Sequence, residues 1–195
     1  MLNGVFVKEY TALPRNEKEA LRYGGVYGEV PEAVYKLFLE CASEAEKAAC
    51  YRVCYRVCTV DEAREWFAEY EDVQARLSSA RYVVLFAATV GIEIDRLIAR
   101  YAKIAPSKAV LLQGLGAERV ETLCNTFCKE IEEKSRENGF CAGTRFSPGY
   151  GKFPLQAQKK MLMLTDSGKR IGVSATDSWM LSPTKSVTAI VAIGE

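Results

Sequence analysis

No histidine occurs anywhere in the 195 residues. That removes the commonest general base, the usual partner of serine and cysteine nucleophiles, and every zinc site that needs imidazole. A surplus of one charge is also missing. Lys plus Arg is 26 against Asp plus Glu at 25, so the net charge is +1. No overall positive field exists to recruit nucleic acid or an anionic membrane. Long apolar runs are absent too. The longest, Tyr82 to Ile92, is too short to span a bilayer and reads as a buried strand. The opening "MLNGVFVKEYTALPRNEKEA" becomes charged too soon for a signal peptide. A soluble, cytoplasmic protein with no nucleic-acid or membrane partner is expected.

Apolar residues are plentiful, at 49% of the chain, and suffice for one sizeable core. We expect a single domain over residues 1–195. Seven cysteines, an odd number, point to reduced thiols rather than a disulfide framework. Three of them punctuate "CYRVCYRVCTV" at Cys50, Cys54 and Cys58. On a helix or on a strand they would share a face, and the intervening Tyr, Arg and Val favour a strand. The C-x3-C-x3-C spacing matches neither paired zinc knuckles nor iron–sulfur patterns. All three are therefore expected to be strand residues with free thiols. Cys124 and Cys128, four apart in helical text, are read the same way.

The residues before the repeat read as two helices separated by the "GGVYG" loop, the second opening at Pro31. "VDEAREWFAEYEDVQARLSS" predicts a helix with an acidic start. "ARYVVLFAATVG" predicts a buried strand, and "IEIDRLIARYAK" an amphipathic helix. A long helix follows Pro106, with a bend expected near Gly114 and Gly116. "GLGAER" lacks the third glycine of a dinucleotide fingerprint. "GFCAGTRFSPGYG" reads as strand then turn, and a short helix is expected from Pro154. "KRIGVSATDSWML" and "KSVTAIVAIG" read as two strands forming a hairpin at "SPT". The fold expected is α+β: a mainly antiparallel sheet of about five strands with helices packed on it.

The segment from Thr144, "TRFSPGYGKFPLQAQ", concentrates functional residue types. Arg145 offers a planar fork that can hold a carboxylate or phosphate by two parallel hydrogen bonds. Pro148 and Gly149 supply a turn in which backbone approaches a ligand closely. Tyr150 presents an aromatic face for a flat ring or a cation. The bland alternative is a strand-ending turn with its tyrosine tucked into the core.

"RFSPGY" followed by a helix, then "MLSPTKSVTAIVAIG", resembles the activation (reactivation) domain of cobalamin-dependent methionine synthase. The family's R-x-x-x-G-Y motif falls on Arg145, Gly149 and Tyr150. Its M-x-P-x-x-S-V-like strand entry falls on Met180, Pro183, Ser186 and Val187. The chain is more similar still to single-domain relatives carrying "RFSPGYGDxPLxxQ" and "LRYxGxxG". It has Lys152 where they have aspartate, and "LRYGGVYG" from Leu21.

The resemblance implies binding of S-adenosylmethionine. Arg145 would hold the methionyl carboxylate, backbone around Ser147, Pro148 and Gly149 would meet the adenosyl portion, and Tyr150 would line the site. Glu118, Glu121 and Asp177 are candidates for the ligand's amino group. It implies that cob(II)alamin, reduced by a flavodoxin- or ferredoxin-type donor, is remethylated by S-adenosylmethionine. No D-x-H-x-x-G segment is present, so the cobalamin is expected on a partner chain, a methionine synthase or another corrinoid protein. The expected catalysis is orientation, with no acid–base residue and no resident metal. A non-catalytic docking module for a corrinoid protein is the other reading that these residues leave open.

Overall fold

The computed structural model describes residues 4–194. Its main sheet has five strands in the order β1–β2–β3–β7–β4, and each neighbouring pair is antiparallel. These strands are β1 (Val5–Tyr10), β2 (Tyr51–Thr59), β3 (Ala80–Thr89), β4 (Cys141–Ala142) and β7 (Ser186–Gly194). A small second sheet pairs β5 (Ser174–Ala175) with β6 (Leu181–Ser182). The helices are α1 (Glu17–Tyr23), α2 (Glu32–Ala48), α3 (Val60–Trp66), α4 (Glu71–Arg76), α5 (Ile92–Ile104), α6 (Pro106–Glu137), α7 (Ala157–Thr165) and α8 (Ser167–Ile171). The α+β architecture is the one expected.

Strand alternation splits the core in two. Val53, Val84, Phe86, Ala88 and Val191 face a cluster shared with α2, α5 and α6. Cys58, Leu85 and Ile190 face a second cluster shared with α3, α4 and α7. Strand β3 is buried on both faces, which is why its sequence is an unbroken apolar run. Helix α6 is the long helix expected and runs on through Gly114 and Gly116. The first glycine serves close packing: a Cβ on it would lie 2.4 Å from the Ala20 carbonyl oxygen of α1. Among the described residues no helix is long and apolar enough to cross a membrane.

Five local readings are corrected. Strand β1 was not anticipated; its hydrophobic alternation is short and interrupted by Lys8. The single helix expected over residues 60–79 is two, α3 and α4. Thr59 begins α3 with a reciprocal capping box to Glu62, and the side-chain amide of Gln74 ties α4 back to the Arg64 and Phe67 carbonyls. The expected strand over residues 169–181 begins as helix α8, stopped by Gly172 at φ 73°. Its remnant β5 pairs with β6. The hairpin at "SPT" does not form. That segment carries the chain out of the small sheet so that β7 can pair with β3 along its edge. Cys50 falls one residue before β2.

Candidate functional site

Arg145 and Phe146 are pinned to the main sheet by reciprocal hydrogen bonds between Phe146 and Ile190, each 2.9 Å. The chain then reverses. Gly149 and Gly151 adopt φ of 97° and 54°, conformations that side chains disfavour. The Gly149 amide donates to the Phe153 carbonyl at 2.7 Å, and the Phe153 amide donates back to Tyr150 at 3.0 Å. Phe153 is fully buried, stacked on Phe146 at 5.5 Å and edge-on to Phe67 at 5.9 Å. Helix α4 holds the other side. Asp72 accepts from the Lys152 amide at 2.7 Å, and the Lys152 ammonium pairs with Glu71 at 2.8 Å. A Cβ on Gly151 would sit 2.3 Å from the same Asp72 carboxylate. The turn is thus clamped between sheet and helix. Tyr150 stands 68% exposed, which removes the reading in which its ring is tucked into the core.

This turn forms one wall of a cavity of about 790 Å³, within the range of small-molecule sites. Arg145, Ser147, Pro148 and Tyr150 line it, joined by Gly151 rather than Gly149, which turns the chain just behind. Glu121 of α6, Asp72 and Arg76 of α4, Gln158 of α7 and Thr188 of β7 complete the enclosure. The Arg76 guanidinium lies over the Phe146 ring at 4.1 Å.

The polar groups in this cavity are incompletely satisfied. Arg145 pairs through Nη2 with Glu121, while its Nη1 is buried without a partner. Gln158 Oε1 and Thr188 Oγ1 are also buried without partners. The three residues that carry those atoms line one cavity. The other buried orphans among the described residues, Arg52 Nε and Arg56 Nε, lie on β2. An unmade buried hydrogen bond costs roughly 1–3 kcal/mol, so three on residues around one space set this region apart from the rest of the core. Burial works against the charge of Arg145; the neighbouring Cys124 and Glu121 outweigh it and hold its pKa above the ordinary arginine value. Cys124, beneath the pair, is pushed up to about 12 by burial and stays a neutral thiol.

Two of the acidic candidates lie elsewhere. Glu118 is buried and binds Arg119 at 2.7 Å, the Thr122 hydroxyl at 2.7 Å and the Asn16 amide at 2.9 Å. Asp177 is exposed in the turn between β5 and β6. Asp72, Arg76, Gln158 and Thr188 were not singled out in the sequence. Thr188 alone left a signal, as a hydroxyl within an apolar strand.

Cys54 and Cys58 lie on the face of β2 toward α3, α7 and α8. Their thiols donate to the Thr165 carbonyl at 2.9 Å and the Val83 carbonyl at 3.6 Å. All seven cysteines are free, and the described residues contain no group of three His, Cys, Asp or Glu side chains placed to hold a metal.

Fold and cavity together define an α+β domain with a cleft between α4, α6, α7 and β7 of an antiparallel sheet. Residues 61–194 match the family described as "Vitamin B12 dependent methionine synthase, activation domain", and the chain belongs to that family. It is similar over 98% of its length to a solved structure described as the MetH reactivation domain bound to AdoHcy. That match covers 78% of the other chain at 19% identity with a TM-score of 0.72. At that identity the likeness concerns the fold. No curated protein matches the chain.

Proposed function

We propose that this chain binds S-adenosylmethionine in the cavity behind the Arg145–Gly151 turn and supports remethylation of a corrinoid carried by a partner protein. The observation that carries the reading is the trio of orphaned atoms, Arg145 Nη1, Gln158 Oε1 and Thr188 Oγ1, on residues that line one cavity. A donor fork, an amide acceptor and a hydroxyl fit an amino-acid zwitterion joined to a nucleoside. The solved relative bound to AdoHcy supports the same ligand class.

In this reading the ligand's carboxylate takes the free edge of Arg145. Glu121, already beside that guanidinium, meets the ammonium or sulfonium charge. Gln158 and Thr188 satisfy the ligand's remaining polar groups, and exposed Tyr150 forms the lip of the cleft. A corrinoid on the partner, given one electron by a flavodoxin- or ferredoxin-type protein, would supply the nucleophile for the methyl group of S-adenosylmethionine, with S-adenosylhomocysteine as the leaving group. This chain binds, orients and shields; it moves no proton, which suits a sequence without histidine. The partner is a cobalamin-binding methionine synthase or another corrinoid protein, met in the cytoplasm.

The test mixes a cob(II)alamin-loaded corrinoid protein lacking its own activation domain with a low-potential donor, S-adenosylmethionine and this chain. The visible spectrum should convert to the methyl form only when all four are present. Equal conversion without this chain overturns the reading. Tight association without conversion would make the chain a docking module instead.

A further inference from the structure

A second cavity, of about 480 Å³, opens between the sheet and the C-terminal half of α6. The rings of Tyr55, Tyr82, Phe127 and Phe140 wall it, in two touching pairs. Tyr55 meets Phe127 with centroids 5.1 Å apart, and Tyr82 meets Phe140 edge-on at 5.7 Å. Val84 and Ile193 form its floor on β3 and β7. None of the orphaned buried polar atoms of the described residues lines it, so its interior asks for no hydrogen bonds.

Charge is confined to the rim. Lys8, Glu130 and Lys134 are the charged side chains lining the cavity. Glu130 is already taken by the Lys8 ammonium and by the Tyr10 hydroxyl, the latter at 2.9 Å. Lys134 is exposed, and its ammonium makes no ion pair among the described residues. The rim therefore carries one uncompensated positive charge above an aromatic slot. Open apolar surface of this kind is costly in water and marks a binding site when it is concave.

We propose that this cavity is a second small-molecule site that takes a flat aromatic monoanion, its rings against the four aromatic side chains and its acidic group at Lys134. It is separate from the cleft behind Arg145 and does not rest on the function proposed for that cleft. The probe is 1-anilinonaphthalene-8-sulfonate, an aryl sulfonate, titrated by fluorescence against the folded chain. Saturable binding of one probe per chain is expected. Lys134→Glu should weaken it by about threefold to tenfold. Val84→Trp should fill the slot and abolish it, and Arg145→Ala should leave it unchanged. Non-saturating fluorescence overturns the proposal, as does unchanged affinity in Lys134→Glu or loss of binding in Arg145→Ala. Lys134 is exposed, so its variant keeps the fold and decides the question alone should Val84→Trp fail to fold.

Discussion

Two arginine–glutamate pairs meet on neighbouring turns of α6 and differ in kind. Arg119 is 1% exposed, and every part of its fork is used. It binds Glu118 and donates to the carbonyls of Leu13, at 3.2 Å, and Pro14, at 2.7 Å. It stitches the segment between β1 and α1 onto the long helix, and nothing is left over for a ligand. Arg145 binds Glu121 and leaves one buried nitrogen without a partner. Pairing alone does not separate structure from site. The separation comes from whether the hydrogen-bonding capacity is exhausted.

The largest effect should come from breaking the exhausted pair. Arg119→Ala leaves Glu118 buried and unpaired, which costs about 3–5 kcal/mol. Urea unfolding should show that loss, while ligand affinity of the remaining folded protein stays near wild type. A drop in affinity without a drop in stability would erase the contrast.

Arg145→Ala should do the reverse. Its partner Glu121 is already 38% exposed and can be hydrated, so stability should change by less than about 1 kcal/mol. Affinity for S-adenosylmethionine should fall by roughly 1.5–3 kcal/mol, or about 10- to 150-fold, by calorimetric titration.

Much of this architecture was legible in residues. The apolar runs of β3 and β7, the helical spacing of α2, α5 and α6, and the R-x-x-x-G-Y turn are local patterns, and each was read from the chain. What escaped depends on distant partners. Strand β1 exists because β2 offers it an edge, and residues 169–171 are helical because Gly172 ends α8 there. Gln158 and Thr188 acquire meaning only when α7 and β7 face Arg145 across the cleft. Glu118 and Glu121 are three residues apart on α6 and look equivalent in sequence. The segment around Asn16, folded back onto the helix, claims the first and leaves the second to the cavity.

A third prediction extends the comparison to the thiols. Burial pushes Cys54 up to about 11 and Cys58 to about 12, from an ordinary 9.0. A raised pKa means that the folded state favours the neutral thiol. The stabilisation is complete below pH 9 and is lost as pH climbs through the folded values. Stability should therefore decline between about pH 9 and pH 12, by about 1 kcal/mol for each thiol at pH 10. Iodoacetamide at pH 8 should label exposed Cys50 and Cys141 first, and Cys54 and Cys58 only on unfolding. Rapid labelling of Cys58 in the folded chain would contradict its placement.

The smallest effect belongs to the clamp on the turn. Asp72→Ala removes the acceptor of the Lys152 amide, which should cost roughly 0.5–1.5 kcal/mol of stability and loosen ligand binding by a few-fold. An Asp72→Ala effect on affinity as large as that of Arg145→Ala would place Asp72 against the ligand itself.

The most direct measurement is a crystal structure of this chain with S-adenosylhomocysteine. The account predicts the ligand carboxylate on the free edge of Arg145, with Gln158 Oε1 and Thr188 Oγ1 no longer without partners. Ligand bound elsewhere, with those three atoms bridged by nothing but water, would contradict it.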